Sequence, residues 1–255
     1  MSAAPQALAS SLVLLPRRIG RLGEELASLL SPPRCTGCDE PLGRAALFCD
    51  GCEVALAEHD PGICPACEQP AGPKGLCRGC AGRLSPLAAV RCAFEHEGPL
   101  SEALHAFKYG DRHELSAPLA ALWIEALRAV GLPDFLGSGS LLAPVPLHPA
   151  RLASRGFDQA ALLAHRLAQA LGAEARPRLA SRVRDTRPQV GLGREARSAN
   201  VAGAFRATAG LARGRDVVLV DDVLTTGATL RAAAEALVEG GARRVFGLTL
   251  ARAAP

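Results

Sequence analysis

The sequence predicts an α/β fold: a parallel sheet with helices on both faces, preceded by a small cysteine-rich module that binds metal. Two observations support this prediction. From residue 85 onward, short apolar runs alternate with stretches of helical periodicity, which is typical of a parallel sheet covered on both sides. Before that point, eight cysteines form four C-x-x-C pairs. We therefore expect three parts: an N-terminal amphipathic helix (1–32), the cysteine-rich module (33–84) and the α/β domain (85–255).

Composition and charge narrow the functional classes. Of the 255 residues, 49% are apolar and 4% aromatic, so Leu, Val and Ala are expected to build the core. The formal net charge is +4, which suits small anionic ligands without requiring nucleic acid. No apolar run approaches the roughly 20 residues that span a bilayer. The weakly apolar stretch 7–15 has its arginines after it, unlike a secretion signal, so a cytoplasmic protein without a membrane span is expected.

The N-terminal segment has the spacing of an amphipathic helix. Its apolar residues recur at intervals of three and four. Such a stripe usually packs on its own protein, and docking on a partner or a membrane surface is the alternative. The residues of the stripe are Ile19, Leu22, Leu26, Leu29 and Leu30.

The cysteine pairs predict two zinc ions. A C-x-x-C turn directs two thiolates at one ion, and two such turns complete a tetrahedron. Disulfides are disfavoured because no secretion signal is present, and a redox motif would use one pair rather than four. An iron–sulfur cluster is the rival, since four thiolates also bind iron. The expected ligands are Cys35, Cys38, Cys49, Cys52, Cys64, Cys67, Cys77 and Cys80.

The order in which the cysteine pairs combine is open, as adjacent or interleaved pairs. We favour adjacent pairs, because ten residues separate the first two pairs and nine the last two, enough for each loop to close its own hairpin. Four thiolates leave no position for water, so both ions are expected to be structural. With few large apolar residues, this double zinc ribbon would depend on metal for its folding. The ninth cysteine, Cys92, lies in an alternating run and is expected to be a buried strand residue.

The charge of the ribbons argues against nucleic-acid binding. Between Cys35 and Cys80 three basic residues face seven acidic ones, whereas a phosphate-binding surface needs clustered positive charge. A structural or protein-docking role is therefore favoured.

The elements of the α/β domain follow from local patterns. Strands are indicated by runs of β-forming residues, and helices by apolar residues that repeat on one face. The expected strands are Ala88–Glu95, Leu141–Pro146, Ala204–Ala207, Val217–Val220 and Val245–Leu250, and the expected helices are Leu100–Lys108, Glu114–Val130, Asp158–Leu171 and Gly227–Glu239.

The segment Val217–Leu230 carries the clearest functional signal. A buried strand is followed by Asp221 and Asp222, and a Thr/Gly loop then opens a helix. The start of a helix presents unpaired N–H groups and the positive end of its dipole, which suits a phosphate. The two carboxylates would repel that phosphate but suit a neighbouring diol. A phosphate beside a vicinal diol is a ribose 5-phosphate.

These residues resemble the phosphoribosyl pyrophosphate motif of type I phosphoribosyltransferases. The resemblance extends to the ComF (GntX-like) competence-protein family, and it covers residues from about Pro33 to Ala251. It implies a type I phosphoribosyltransferase-like sheet behind a double zinc ribbon. One departure is Asp158, where the family usually has Asn. The matching segments are Pro144–Pro149, Arg151, Arg155–Gln159, Asp185–Gln189, Arg197–Val201 and the cysteine-rich region.

The resemblance also implies roles for individual residues. Asp221 and Asp222 would contact the ribose hydroxyls as the catalytic pair. A loop at 147–156 would hold pyrophosphate, and the arginine-rich segment Arg182–Asn200 would cover the site as a lid. The 5′-phosphate would lie on Thr225, Thr226, Gly227, Ala228 and Thr229; the other ligand-binding residues would be Arg151, Arg155, Gly156, Lys108 (followed by Tyr109 and Gly110) and Gln189.

Two functions are compatible with these features. The first is binding of phosphoribosyl pyrophosphate or a ribose 5-phosphate ligand, with Mg²⁺ held by that ligand, and transfer of the phosphoribosyl group to a nitrogen acceptor. The alternative is a non-catalytic accessory protein of DNA uptake that binds single-stranded DNA or proteins of that machinery. The sequence identifies no acceptor and does not decide whether the pocket catalyses.

Overall fold

The computed structural model describes residues 32–67, 69–73, 75–137, 139–186 and 194–253. The expected N-terminal helix lies outside the described residues except for Pro32, and Gln189 also lies outside them. Within the described ranges, no helix combines the length and the apolar character needed to cross a bilayer.

A five-stranded parallel sheet forms the centre of the molecule. Its order is β1-β7-β6-β2-β3, so β6 lies in the middle between β7 and β2. A separate antiparallel hairpin joins β4 and β5. The strands are β1 (Leu87–Glu95), β2 (Leu141–Pro144), β3 (Glu174–Ala175), β4 (Ala180–Arg182), β5 (Phe205–Ala207), β6 (Asp216–Leu224) and β7 (Arg244–Arg252).

The helices begin and end where local chemistry favours it. Asp158 caps the helix that follows it, since its Oδ1 accepts a hydrogen bond from the Ala161 N–H at 2.9 Å. Gly172 ends that helix in the left-handed conformation. The described helices are α1 (Asp50–Val54), α2 (Arg78–Arg83), α3 (Gly98–Tyr109), α4 (Ser116–Ala129), α5 (Pro149–Arg155), α6 (Gln159–Leu171), α7 (Arg194–Val201) and α8 (Ala228–Glu239), with a 3₁₀ turn at His113–Leu115.

Alternate residues of β6 face two different apolar cores. Val218 and Val220 belong to the core formed with α3, α4 and α6. Val217 and Leu219 belong to the core formed with α8 and the β4–β5 hairpin. Side chains alternate along a strand, so Asp222 continues the first row and Asp221 the second. The parallel sheet with helices on both faces, expected from the sequence, is confirmed.

Three elements differ from the sequence-based expectation. The central strand does not end at Val220, because Asp221 and Val223 pair with Thr249 and Ala251 of β7, so the acidic pair lies within the last residues of the strand rather than after it. The segment 147–156, expected to be a loop, is mostly helix α5, which His148 caps by accepting from the Ala150 N–H at 3.3 Å. Helix α7 occupies part of the segment expected to be a lid, where buried Val201 joins the core under α8.

The cysteine-rich module lies against the free edge of the sheet. The His59 N–H donates to the Ala93 carbonyl at 2.8 Å, and the Glu95 N–H donates to the Ala57 carbonyl at 2.8 Å. These bonds extend the sheet beyond β1 by a short antiparallel bridge. Cys92, on the same strand, is buried as expected from its alternating run, and burial raises the pKa of its thiol to about 12.

Candidate functional site

The eight paired cysteines form two clusters. Cys35, Cys38, Cys49 and Cys52 make one, and Cys64, Cys67, Cys77 and Cys80 make the other; within each cluster all Sγ atoms lie within 4.8 Å of one another. This is the grouping of adjacent pairs. Tetrahedral Zn–S bonds of about 2.3 Å place sulfur atoms about 3.8 Å apart, close to the 3.7 Å between Cys38 and Cys49 and the 3.5 Å between Cys67 and Cys77. Both clusters therefore fit a structural zinc ion.

The surroundings of the second cluster favour thiolates. The Cys80 N–H donates to the Cys77 Sγ at 3.4 Å, and this backbone bond lowers the pKa of Cys77 to about 7. Arg83 places Nη2 2.9 Å from the Cys80 Sγ. Burial nonetheless raises the pKa of Cys80 to about 12, because a thiolate removed from water is destabilised unless a positive charge lies beside it. A zinc ion supplies that charge and displaces the thiol proton.

A second site lies beyond the carboxyl ends of the parallel strands. A pocket of about 340 Å³ is bordered by the ends of β1, β2, β6 and β7, which is where open α/β sheets bind ligands. It brings together residues that are distant in sequence. Among its lining residues are Lys108, Arg151, Arg155, Asp221, Asp222, Thr225, Gly227 and Thr229.

Lys108 compensates the deeper carboxylate of the acidic pair. Asp222 is 4% exposed, and the Lys108 Nζ approaches its Oδ2 to 3.1 Å from the last turn of α3. A buried charge of this kind requires a partner. The sequence places Lys108 among the ligand-binding residues, and the structure shows it at the pocket wall, paired with Asp222.

Asp221 is the more accessible acid and carries a raised pKa. Burial and the charge of Asp222 raise the pKa of Asp221 well above its usual value, while Lys108 opposes that rise. Its Oδ1 accepts a hydrogen bond from the Asp222 N–H at 2.9 Å. One of its two carboxylate oxygens is thus bonded to the backbone, and the side chain lines the pocket. Because its charge is incompletely balanced, a ligand that donates hydrogen bonds would be favoured.

The Thr/Gly loop leads directly into α8, as the sequence predicts. Gly227 precedes the helix with φ +76°, a conformation that favours glycine. The Thr226 hydroxyl is buried and accepts from the Ala228 N–H at 3.4 Å. Thr225 and Thr229 border the pocket on either side. The start of α8 therefore borders the pocket, and the positive end of a helix dipole favours an anion.

The opposite wall carries the arginines. Arg151 and Arg155 lie on α5, and Gly156 ends that helix with φ +81°, the left-handed conformation expected from its residue type. The Arg151 Nη2 donates to the Thr186 carbonyl at 2.9 Å. The Arg155 Nη1 donates to the Gln159 Oε1 at 2.5 Å, and its guanidinium lies 5.2 Å from the centre of the Tyr109 ring. A second cavity of about 600 Å³ continues from these residues.

Asp158 is a helix cap that also faces the acidic pair. Besides capping α6, it is close enough to Asp222 for that charge to act on it. Burial and then the Asp222 charge raise the pKa of Asp158, although backbone hydrogen bonds oppose the rise. The departure from the usual Asn therefore adds a third carboxyl group to this end of the sheet.

Two pocket residues were missed by the sequence interpretation. Arg182 is buried at the end of β4, and its Nε has no hydrogen-bond partner among the described residues. A buried, unpaired donor beside Asp221 is suited to an anionic ligand. His96 follows β1, and burial followed by the Lys108 charge lowers its pKa. In the sequence, His96 was marked only by its position directly after a predicted strand. Arg182 was assigned to the lid and not to the pocket.

Comparison with known proteins agrees with this architecture. The phosphoribosyl transferase domain family matches residues 158–254, which include α6, β6 and the Thr/Gly loop. Among solved structures, the crystal structure of TT1426 from Thermus thermophilus matches with a TM-score of 0.31 and 23% identity, over 55% of this chain and 83% of that one. That score is too low to support a statement about this chain.

Several curated relatives match between 61% and 85% of this chain. DNA utilization protein YhgH of Salmonella typhi is 34% identical over 223 residues, which cover 85% of this chain and 96% of that protein. Competence protein F of Haemophilus influenzae is 33% identical over 61% of this chain and 69% of that protein. Competence protein ComFC of Bacillus subtilis is 29% identical over 80% and 83%. With its phosphoribosyl transferase domain and two Cys₄ clusters, the chain belongs to the ComF family of competence and DNA utilization proteins.

Proposed function

We propose that this chain binds phosphoribosyl pyrophosphate in the pocket at the carboxyl ends of the strands. The observation that carries the proposal is the convergence of three chemistries in one cavity. An acidic pair suits a diol, the start of α8 suits a phosphate, and the arginines of α5 suit a pyrophosphate. Phosphoribosyl pyrophosphate joins these three groups in one molecule.

Each wall would contact a different part of the ligand. Asp221 and Asp222 would accept hydrogen bonds from the ribose hydroxyls. Thr225 and Thr229, which line the pocket, would bind the 5′-phosphate together with the N–H group of Gly227. Thr226 is buried and its hydroxyl accepts from the Ala228 N–H, so these two residues would instead hold the shape of the loop. Arg151, Arg155 and Arg182 would face the pyrophosphate, whose charge explains why cations border this side of the pocket.

Magnesium fits the site as a companion of the ligand. Among the described residues, the only groups of three or more potential metal ligands are the cysteine clusters, so the pocket offers no protein cage. Mg²⁺ commonly keeps several waters and binds through one or two carboxylates plus substrate phosphates. Asp221 and Asp222 can provide those carboxylate contacts. The ion would supply positive charge to the leaving pyrophosphate.

Transfer to a nitrogen acceptor is the reaction that this arrangement supports. Breaking the bond to pyrophosphate develops positive charge on the sugar and negative charge on the leaving group. Asp221 and Asp222 would stabilise the positive charge on the sugar, and the arginines of α5 would stabilise the negative charge on the pyrophosphate. The acceptor would enter from the adjoining cavity beside Tyr109 and Asp111.

Calorimetric titration of phosphoribosyl pyrophosphate with Mg²⁺ tests the proposal. The double variant Asp221→Asn/Asp222→Asn should lose binding while remaining folded. The matched control is Asp216→Asn, which changes an acid at the opposite end of the same strand, where it pairs with Arg243 and Arg244. Unchanged affinity in the double variant, or no binding by the unaltered protein, would remove the assignment.

A second function is favoured by the names of the relatives. Proteins called competence protein F and DNA utilization protein are similar to this chain over most of its length. An accessory role in DNA uptake, through single-stranded DNA or a protein partner, would need ligand binding without transfer. Screening nitrogen acceptors for pyrophosphate release separates the two functions. Binding of single-stranded DNA that weakens steeply with salt would favour the second.

A further inference from the structure

The two ribbons join opposite faces of the sheet. Cys35 and Phe48 of the first ribbon belong to the core under α3 and α4. Cys64 and Cys80 of the second ribbon belong to the core under α8. The second ribbon therefore shares its apolar interior with the helix that begins at the Thr/Gly loop.

Leu84 forms the direct link between the second ribbon and that loop. It follows α2, where its N–H donates to the Cys80 carbonyl at 2.8 Å, and its side chain is 1% exposed. A Cβ placed on Gly227 would lie 2.8 Å from the Leu84 Cδ2 and 3.1 Å from its Cδ1. Because carbon atoms in contact are normally about 3.5–4.0 Å apart, the leucine occupies space that a side chain at residue 227 would need.

This contact limits where the loop backbone can go. Gly227 has a positive φ, and it lines the pocket together with Thr225 and Thr229. Hydrogen bonds to a phosphate weaken steeply when distance or angle departs from the optimum. Because Leu84 is buried against Gly227 and is not among the residues that line the pocket, movement of the loop toward the leucine is sterically opposed.

We infer that Leu84 is a positioning residue for the anion-binding loop, and that the second zinc ribbon acts on the pocket through it. The inference rests on the proposed function insofar as the anion is a 5′-phosphate. The loop's dependence on Leu84 is a separate claim that needs no ligand to test. It gives the ribbon a role in ligand binding besides its own fold.

Hydrogen exchange of the zinc-loaded protein tests that claim without ligand. Leu84→Ala should speed exchange of the amides at 225–231 about tenfold, while Leu84→Met should leave them close to the unaltered protein. Leu76→Ala is the matched control, because Leu76 is a buried leucine of the same ribbon and core, whereas the three atoms nearest to a Cβ placed on Gly227, its chain neighbours aside, all belong to Leu84. Elemental analysis should find zinc retained in all three variants.

Two ligand titrations distinguish positioning from general damage. Leu84→Ala should weaken binding of ribose 5-phosphate about tenfold, equivalent to about 1.4 kcal/mol. It should leave the affinity for pyrophosphate alone unchanged, because Arg151 and Arg155 are held by hydrogen bonds to Thr186 and Gln159, which are not part of this loop. Equal losses for both ligands, or unchanged exchange at 225–231, would overturn the inference. If the unaltered protein binds neither ligand, the proposed function fails, and the exchange result still decides the role of Leu84.

A double-mutant cycle tests the contact between Leu84 and Gly227 even if Leu84→Ala loses zinc. Gly227→Ala adds the methyl group that Leu84 would obstruct, so its cost should be smaller when residue 84 is smaller, as in Leu84→Val. Unfolding in urea measures this without ligand. The same cost in both backgrounds would show that the two residues are not coupled and would contradict the inference.

Discussion

Replacing Lys108 by Met should destabilise the protein by leaving Asp222 as a buried carboxylate without its cation. The Lys108 and Asp222 side chains are 18% and 6% exposed, with 3.1 Å between Nζ and Oδ2. At an effective dielectric constant of about 20, unit charges at that distance attract by about 5 kcal/mol. Removing one partner of a buried pair typically costs about 3–5 kcal/mol. Because the Lys108 side chain is partly exposed, we place this pair at the lower end of that range and expect about 3 kcal/mol.

Urea unfolding of four proteins measures this effect. They are the unaltered protein, Lys108→Met, Asp222→Asn and the double variant. The double variant removes both charges, so it should recover most of the stability that Lys108→Met loses. A loss below about 0.5 kcal/mol for Lys108→Met, or a double variant no more stable than Lys108→Met, would refute the argument that Lys108 neutralises Asp222.

Three further predictions follow from single features of the structure. Burial raises the pKa of Asp221, so the folded state holds the carboxyl proton more tightly than the unfolded chain does. The stability that this proton contributes is therefore lost as pH rises from about 3.8 through the folded pKa. Asp221→Asn should therefore gain stability relative to the unaltered protein as pH rises above about 3.8; a constant difference in urea midpoint would contradict this. Cys77→Ser should lower the zinc content from two ions to one, since each cluster would hold its own ion; elemental analysis showing iron, or two retained ions, would be the opposing result. Gly156→Ala should cost about 1 kcal/mol, because a side chain is strained at φ +81° even where space is open, whereas Gly137→Ala, in open space without a positive φ, should change stability by less than about 0.5 kcal/mol.

Local sequence patterns anticipated the sheet and the clusters. The apolar run Val217–Val220 predicted a buried strand, and the Thr/Gly residues beyond it predicted the start of a helix. The four C-x-x-C pairs predicted two metal clusters, because thiolates at that spacing converge on one ion. Gly156 and Gly227, which the resemblance placed among the ligand-binding residues, both have positive φ.

Tertiary contacts explain what the sequence did not reveal. The strand continues through Asp221 and Asp222 because pairing with β7 holds the backbone extended, although acids disfavour strands. Arg182 joins the pocket from a different hairpin. The contact between Leu84 and Gly227 connects residues far apart in the chain, and no periodicity records such a contact.

A structure determined with ribose 5-phosphate bound tests the central claim most directly. The account predicts the phosphate at the start of α8, with the 2- and 3-hydroxyls of the ribose within about 3 Å of the carboxylates of Asp221 and Asp222. A sugar lying in the reverse orientation, or bound away from the start of α8, would contradict it.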